Sequence, residues 1–515
     1  MQPNSPAGSE QGVQVRRLHP LSPADALKSF QLEAGFQLEL VAHEPSVMDP
    51  VAAVYDEDGR LYVCEMGDYP GHGETPEGVK GRVSQLLDRD GDGFYETHHV
   101  FVDELANPSS VACYKGGLFI LAAPDMWYCK DTDDDGVADQ RERVFTGFGV
   151  SSLETLANNL KWGIDNKLYG AASHSGGDIT VPQGQPGKGL NLQGSDFRFD
   201  PSTRILERVS RGNSRWGNSF NDAYDRFVCQ NTGPARHVVL PDAILSRSAF
   251  LPSLPAYQSL ALEGGTEPVY RASPPEPWRV VRADRRQARG KNANPGEINA
   301  AGFFTSSCGI TVYRGDAFPP EYRGNLFVGE AAGNLVHRRT LVREGVSYSS
   351  ERAGEEKEFL ASTDNFFRAV NFINAPDGTL QVIDMYREVV EGPSWVPADL
   401  KASGQVNVMG GADRGRIYRI VPFDFSRRTP PALSDSSSSE LVELLGHDSS
   451  WWRETAQRLI VQRQDRSVAR LLRRQLRRRS LATTRIHLAW TLHGLGMLTA
   501  DDVKLLLSDS REVVQ

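Results

Sequence analysis

Between residues 36 and 423, short apolar runs alternate with turn residues, and polar positions recur at a period of two, which is typical of β-strands. One unit recurs six times: an apolar strand, a turn that usually contains glycine, and a second apolar strand. The six units cover residues 51–69, 111–127, 160–177, 219–233, 310–334 and 369–388. Because most are followed by further strand-like segments, they predict a propeller of six four-stranded blades. A sandwich is the less favoured alternative, since its strands need not repeat in this way.

The two ends of the propeller segment are predicted to pair with each other. The strand at 415–423 has no partner strand after it, and the strand at 36–42 precedes the first repeated unit. Pairing of these two strands would close the ring.

The apolar spacing becomes helical after a Pro/Ser-rich stretch at 430–440. Two weakly similar segments follow, each with an apolar run, a polar turn and a second helix start, which predicts a short α-helical solenoid of the HEAT type. Because the second segment stops one turn into its second helix, we expect the solenoid to be truncated. The fold is therefore predicted to be mainly β. Its parts are a polar lead-in at 1–35, a propeller at 36–423, a linker at 424–440 and a HEAT-like solenoid at 441–515.

Composition excludes several classes of function. The 515-residue chain carries 57 basic and 66 acidic side chains, a formal charge of −9, which argues against a general nucleic-acid binder. Its five cysteines form no CxxC or CxxCH, so the sequence contains no motif for cysteine-bound zinc or c-type haem. There is no apolar stretch of about 20 residues that could span a membrane, and no recognisable signal peptide at the N-terminus.

Two acidic loops match a calcium-binding template. Carboxylates stand at positions 1, 3, 5 and 9 of each loop, with glycine at position 6, an arrangement that turns several oxygens towards one hard cation. The predicted ligands are Asp88, Asp90, Asp92 and Glu96 in the first loop and Asp131, Asp133, Asp135 and Asp139 in the second. Both loops join the third and fourth strands of a blade, so we expect Ca²⁺ to stabilise the fold. The alternative is a pair of acidic turns that need Asp and Gly only for backbone reasons.

Polar and charged residues directly after the second strand of a unit are candidates for a site around the central channel. In propellers, these connections surround one mouth of the channel. The alternative is that such residues form ion pairs between blades. The candidates are Glu65, Asp68, Asp125, His174, Asn231, Glu330, Asn334, Asp384, Arg387 and Glu388.

The order and wording of several segments resemble a known family. They include the stretch at 30–66, the loop at 123–139, NNLKWGIDNKLYGAASHSGG (158–177), YRGNLFVGEAAGNLVHR (322–338) and the segment at 362–395 that leads to DRGRIYRI. The chain is similar to the membrane-bound dehydrogenase family of planctomycetes and verrucomicrobia. Members of that family have a propeller like that of quinoprotein glucose and sorbosone dehydrogenases, then HEAT-like repeats, and often a C-terminal c-type cytochrome domain.

The resemblance implies a periplasmic or secreted quinoprotein-type dehydrogenase that oxidises a carbohydrate or alcohol and passes electrons to a c-type cytochrome absent from this chain. Pyrroloquinoline quinone (PQQ) and Ca²⁺ would be its cofactors. The catalytic candidates are then His174, Arg368, Asp384 and Arg387, and the substrate- or cofactor-binding candidates are Glu65, Asp125, Glu330, Asn334 and Glu388.

One departure leaves catalysis open. The related dehydrogenases carry a catalytic histidine where this chain has residues 155–160, and no histidine is present there. The alternative hypothesis is therefore a non-catalytic scaffold that binds carbohydrate or protein and is stabilised by calcium.

Overall fold

The computed structural model of the protein contains six separate sheets, which confirm the predicted six-bladed propeller. A short helical region follows the propeller. The structure describes residues 14–71, 73–172, 174–184, 187–211, 214–247, 254–290, 295–478 and 480–514.

One helix and two strands precede the first complete blade: α1 (Pro23–Leu27), β1 (Phe30–Leu32) and β2 (Phe36–His43). The first blade contains β3 (Pro50–Tyr55), β4 (Leu61–Glu65), β5 (Gly81–Leu87) and β6 (Thr97–Leu105). The second contains β7 (Pro108–Tyr114), β8 (Gly117–Ala122), β9 (Asp125–Lys130) and β10 (Gln140–Phe148).

The next six strands are β11 (Asn158–Trp162), β12 (Leu168–Ala171), β13 (Gly177–Thr180), β14 (Leu190–Asn191), β15 (Ser195–Asp200) and β16 (Ile205–Arg211). Strands β13 and β14 extend the second blade, and the other four form the third. The fourth blade contains β17 (Asn218–Phe220), β18 (Arg226–Gln230), β19 (Gly233–Val238) and, after α2 (Asp242–Leu245), β20 (Tyr257–Ser259).

Two helices, α3 (Pro277–Ala288) and α4 (Pro295–Ile298), lie between the fourth and fifth blades. The fifth blade contains β21 (Ser307–Val312), β22 (Leu326–Glu330), β23 (Leu335–Glu344), β24 (Ser347–Arg352) and β25 (Leu360–Ser362), with β1 at its edge. The sixth contains β26 (Ala369–Asn374), β27 (Leu380–Asp384) and, after α5 (Ala398–Ala402), β28 (Arg416–Pro422). The helical region contains α6 (Ser438–Leu444), α7 (Ser450–Arg463), α8 (Ala469–Leu476), α9 (Ala482–Gly494) and α10 (Ala500–Leu507).

Local turn chemistry fixes the inner hairpins. The β7–β8 turn consists of Lys115 and Gly116, whose φ angles are 48° and 71°. Two consecutive positive φ values are what a tight hairpin turn requires, and glycine adopts them without strain. In all six repeated units the first and second strands pair antiparallel, although the lengths of their connections differ.

The ring closes as the sequence predicts. Strand β2 pairs antiparallel with β28, from Phe36 opposite Pro422 to His43 opposite Arg416, and becomes the outer strand of the sixth blade. The predicted propeller boundary at residue 36 leaves β1 outside, yet β1 pairs with β25 because Phe30 packs against Phe367 and Tyr418. The N-terminal segment therefore ties the fifth and sixth blades together.

Helix α7 lies across one end of the central channel. It reaches the turn between the first and second strands of every blade, on the side that we call the turn face. The contacts, in blade order, are Arg458 with Glu57, Gln462 with Lys115, Gln457 with Asn166, Arg453 with Asp222, Ser450 with Arg314 and Trp452 with Pro376. The helical region is thus seated on the propeller by one contact or more from each blade.

The helical region begins at residue 438, three residues before the predicted start. Ser437 and Glu440 form a capping box, in which each side chain accepts a hydrogen bond from the other's backbone N–H. The spacing of leucines alone could not show this start, whereas the Ser-x-x-Glu pattern could. None of the helices in the described part of the chain is long and apolar enough to cross a membrane.

Candidate functional site

A cavity of about 520 Å³ opens on the face opposite α7, at the other end of the central channel. This mouth face is built by the connections between second and third strands and between successive blades. The polar and aromatic lining residues are Tyr69, Ser152, Glu154, Arg215, Trp216, Gln230, Asn231, Thr232, Arg282, Arg286, Glu297, Thr305, Ser306, Ser307, Glu391 and Trp395. Concave sites with a few convergent polar groups are the usual place for a small ligand.

Insertions into the propeller supply most of the polar wall. Glu154 lies on a single 3-10 turn, Leu153–Thr155, between the second and third blades. Arg282 and Arg286 lie on α3, between the fourth and fifth blades. Trp395 follows β27 in the sixth blade. Long connections between strands therefore form much of the polar wall of the cavity. The blades hold the two ends of each connection in place.

Three arginines give the cavity its positive groups. The Nε atoms of Arg215 and Arg282 are buried and have no hydrogen-bond acceptor among the described residues. Burial lowers the pKa of Arg215, and it lowers that of Arg282 to about 10, although Glu391 lies 3.7 Å from the Arg282 guanidinium. A buried guanidinium with an unused donor is suited to a carboxylate or phosphate ligand.

Tryptophan side chains flank these cations. Arg282 lies 5.0 Å from the ring of Trp278 and 6.0 Å from that of Trp395, and Arg286 lies 4.9 Å from Trp395. Trp395 remains 46% exposed at the cavity rim. Such a ring offers a flat surface on which a planar or cyclic ligand can stack.

Among the residues predicted from the sequence, Asn231 lines this cavity, and the nine catalytic and binding candidates that follow from the family resemblance do not. Most of those candidates lie directly behind its wall. Arg368 is fully buried and donates to Glu276 at 3.0 Å and to the carbonyl oxygens of Ala331, Arg387 and Glu388.

Glu276 connects Arg368 to the cavity. Burial opposes ionisation of this carboxyl, but Arg271, Arg279 and Arg368 surround it and lower its pKa to about 2. Arg279 in turn forms an ion pair with Glu391, which lines the cavity. Arg368 therefore holds α3 in place through a buried ion-pair network.

Arg387 has a similar supporting role on the other side of the wall. It is fully buried and forms a two-pronged pair with Asp49, with Nη2 2.7 Å from the carboxylate, and it also donates to the carbonyl oxygen of Tyr69 at 2.9 Å. The pair joins the sixth blade to the first. This is the inter-blade alternative that the sequence left open.

Three buried carboxyls near the mouth have pKa values raised to about 7, in each case chiefly because burial disfavours the charged form. Asp384 accepts from the backbone N–H groups of Arg368 and Tyr386, and its Oδ2 has no partner among the described residues. Glu330 accepts from the backbone of Thr305 and Ser306, and Glu388 from that of Asn407. These groups position connections of the mouth face.

The remaining binding candidates also hold loops. Glu65 accepts from the backbone of Met48 and from Arg82 and Ser84. Asp125 lies 3.7 Å from Arg143.

Asn334 is a turn residue with a positive φ of 57°. Its side chain accepts from Arg271 and Ser273 and donates to the carbonyl oxygens of Asn365 and Phe367.

His174 is exposed and lies outside the residues that line the cavity. Its neighbour Ser175 bonds to Thr155, in the 3-10 turn that carries Glu154. The loop of His174 therefore packs against the cavity wall from behind.

The two predicted calcium loops have the expected position and bend. They join β5 to β6 and β9 to β10, on the turn face. In the first, single carboxylate oxygens of Asp88, Asp90 and Glu96 lie within 4.8 Å of one another, and Asp131, Asp133 and Asp135 do the same in the second. The backbone hydrogen bonds of the two loops are also alike: the first Asp of each loop accepts from the N–H of the glycine at position 6.

Repulsion between carboxylates within the second loop affects the pKa of one of them. Asp135 is the main cause of a raised pKa at Asp133, an exposed carboxyl. A divalent cation would relieve this repulsion, and the oxygen donors suit Ca²⁺. Asp92 and Asp139 lie in the same loops, where each accepts a backbone hydrogen bond.

Sequence comparison assigns the propeller to one family. The family described as a domain of unknown function, DUF7133, matches residues 22–424, which is the propeller with its N-terminal tie. This chain belongs to the DUF7133 family. A search of curated proteins finds no match.

Solved structures with similar folds include several dehydrogenases. A Thermus thermophilus oxidoreductase described as a glucose dehydrogenase is 14% identical, with 75% of this chain and 100% of that chain covered and a TM-score of 0.41. The PQQ domain of a Coprinopsis cinerea pyranose dehydrogenase is 13% identical, covering 76% and 97%, with a TM-score of 0.40. A soluble aldose sugar dehydrogenase of Escherichia coli is 14% identical, covering 75% and 99%, with a TM-score of 0.39. Similarity at this level assigns no activity to this DUF7133 member.

The sequence analysis missed the arginines and tryptophans of the cavity. A usable signal was present in PWRVVRADRRQA, where Arg279, Arg282 and Arg286 recur at helical spacing beside Trp278, within an insertion between repeated units. A cationic helix inserted at a blade junction therefore indicates a binding site at least as well as a charged residue after a strand does.

Proposed function

We propose that this DUF7133 protein is a quinoprotein-type dehydrogenase-like propeller that binds PQQ in the mouth cavity. The observation that carries the proposal is the pair of buried guanidinium Nε atoms, on Arg215 and Arg282, that have no acceptor among the described residues. PQQ carries three carboxylates on a planar ring system. Arg215, Arg282 and Arg286 would hold the carboxylates, and Trp395 would cover the ring.

When bound, PQQ supplies a two-electron acceptor for the oxidation of an alcohol or sugar. The residues of this chain would bind the cofactor, orient the substrate hydroxyl and accept its proton. No histidine is present among the described lining residues, so the proton acceptor would be a carboxylate of the cavity, Glu154 or Glu297. His174 would act only if its loop turned towards the cavity.

A second candidate function is carbohydrate binding without oxidation. Two observations favour it: the catalytic candidates Arg368, Asp384 and Arg387 serve as buried supports, and Trp395 is exposed at the rim. Tryptophan at a cavity rim can stack on a sugar ring without any cofactor.

The remaining parts of the proposal rest on the sequence resemblance. They are membership of the planctomycete and verrucomicrobial dehydrogenase family, a periplasmic or secreted location, a c-type cytochrome as electron acceptor and HEAT-like repeats at 441–515 as its docking region. Structural Ca²⁺ in the two acidic loops belongs to the same proposal and is supported by the converging carboxylates.

The test is a titration of the purified protein with PQQ, followed by quenching of tryptophan fluorescence, with and without Ca²⁺. We expect saturable binding that Arg282→Met weakens at least tenfold, because one charge-assisted contact to a carboxylate is lost. The control is Arg343→Met, which removes an exposed arginine on the β23–β24 hairpin and should leave binding unchanged.

Dye-linked oxidation of a panel of sugars and alcohols then separates the two candidates. PQQ binding with substrate-dependent dye reduction supports the dehydrogenase. Binding of a sugar without PQQ binding or dye reduction would replace it by the carbohydrate-binding function.

A further inference from the structure

A second cavity lies at the end of the central channel that α7 covers, between the propeller and this helix. We call it the chamber. Its volume is about 140 Å³. One water molecule needs about 10–15 Å³, so the chamber has room for several water-sized groups. All six inner strands contribute to its wall, together with residues of α7. The polar groups among its lining are Lys161, Trp162, Ser219, Thr311, Arg314, Asn374, Ser450, Glu454, Thr455 and Arg458.

The chamber has more hydrogen-bond donors than acceptors. Arg314 and Arg458 are about 95% buried, and each has one buried guanidinium nitrogen, Nη2 and Nη1 respectively, without an acceptor among the described residues. The Nε1 of Trp162 is also buried and unpartnered. Leaving such donors unsatisfied costs free energy, so the wall is built to meet an acceptor that the described residues do not supply.

Lys161 adds an unpaired positive charge. It lies on β11 and is half-buried beside the chamber, and its ammonium group forms no hydrogen bond or ion pair with any described residue. Burial lowers the pKa of its ammonium group, and the nearby carboxylate of Glu454 opposes that shift. That carboxylate is already engaged, because one of its oxygens accepts from Arg314 and Tyr224.

The surrounding ion pairs do not balance this charge. Arg314, Arg323 and Arg453 share the single carboxylate of Asp222, Arg314 also pairs with Glu454, and Arg458 pairs with Glu57. With Lys161, five cations meet three carboxylates. The first turn of α7 also lines the chamber, and the positive end of a helix dipole favours negative charge.

We propose that the chamber binds a small inorganic oxyanion, phosphate or sulfate, which links the helical region to the propeller. Lys161, Trp162, Arg314 and Arg458 would donate to it. This site does not depend on the mouth cavity or on its ligand. It would make the seating of α7 on the propeller dependent on the anion concentration.

The test uses the full chain and inorganic phosphate up to 10 mM, at constant ionic strength, so that general salt effects stay small. We expect a Kd of about 0.1 mM, so that 10 mM phosphate is about 100 times Kd and stabilises the folded state by about 2.7 kcal/mol. Because a chain of this length has an unfolding entropy of about 1.1 kcal/mol/K, Tm should rise by about 2–3 °C. Sulfate should act similarly, and chloride more weakly.

Lys161→Met should abolish the phosphate-dependent rise in Tm. In phosphate-free buffer it should be at least as stable as the wild type, because it removes an unpaired charge from the interface. The control is Lys504→Met, whose side chain is 78% exposed on α10. It should keep the full phosphate response.

A direct measurement covers the case in which Lys161→Met does not fold. Equilibrium dialysis against radiolabelled phosphate should show about one phosphate bound per chain at saturation, and Trp162→Phe should weaken this binding about tenfold through the loss of one donor. The proposal is overturned if the wild type binds no phosphate at equilibrium and its Tm ignores phosphate and sulfate. It is equally overturned if folded Lys161→Met responds as the wild type does.

Discussion

Replacing Arg387 by methionine separates a supporting residue from a ligand-binding one. In the structure, Arg387 is fully buried, pairs through two nitrogens with Asp49 and also donates to the carbonyl oxygen of Tyr69. Methionine keeps much of the side-chain volume and removes the charge. Asp49, whose pKa burial raises to about 7 even beside Arg387, would then stay buried between the sixth and first blades without its partner.

The expected cost follows from this geometry. Breaking a buried pair by removing one partner costs about 3–5 kcal/mol, because the other charge stays buried. At about 2.1 cal/mol/K per residue, unfolding of 515 residues has an entropy of about 1.1 kcal/mol/K. The Tm of Arg387→Met should therefore fall by about 3–5 °C.

Differential scanning calorimetry measures this change, and PQQ titration at 25 °C provides the second readout. Arg343→Met is the exposed control and should shift Tm by less than about 0.5 °C. The double variant Arg387→Met/Asp49→Leu should regain most of the loss, since replacing both partners leaves no unpaired charge. If Arg387→Met melts like the wild type but no longer binds PQQ, Arg387 contacts the ligand and our assignment is wrong.

Three further predictions concern metal, pH and the helical region. Excess chelator should lower Tm, and less so in Asp88→Asn and Asp131→Asn; an unchanged Tm in the wild type would contradict calcium in these loops. The pKa of Asp384 is raised from 3.8 to about 7 in the folded state, so its stabilising contribution is complete below about pH 4 and is lost as the pH rises through 7. Asp384→Asn should therefore be more stable than the wild type at pH 8 and not at pH 5, as measured by urea unfolding. Asp222→Asn removes the shared partner of three arginines and should cost about 3 kcal/mol and speed proteolysis within 424–437; cleavage at the wild-type rate would show that Asp222 does not hold the helical region.

The propeller could be predicted because its information is local. Alternating apolar residues around a turn, as at Lys115–Gly116, predict each inner hairpin, and the six repeats give the number of blades. Closure by β2 followed from counting strands, since β28 would otherwise lack a partner.

The cavity could not be predicted in the same way because its information is long-range. A charged residue after a strand looks the same whether it faces a ligand or a partner far away in the sequence. Arg387 meets Asp49 across 338 residues, and Arg368 meets Glu276 across 92. The cationic face of α3 can be recognised from the sequence. The fold is needed to show that this face points into the mouth cavity.

The most direct test of the account is an experimental structure of the protein soaked with PQQ and Ca²⁺. We predict density for a planar ligand in the mouth cavity, with its carboxylates against Arg215 and Arg282 and its ring beside Trp395. Saturable PQQ binding with the ligand located anywhere else on the propeller, or an empty cavity at saturating PQQ, would contradict it.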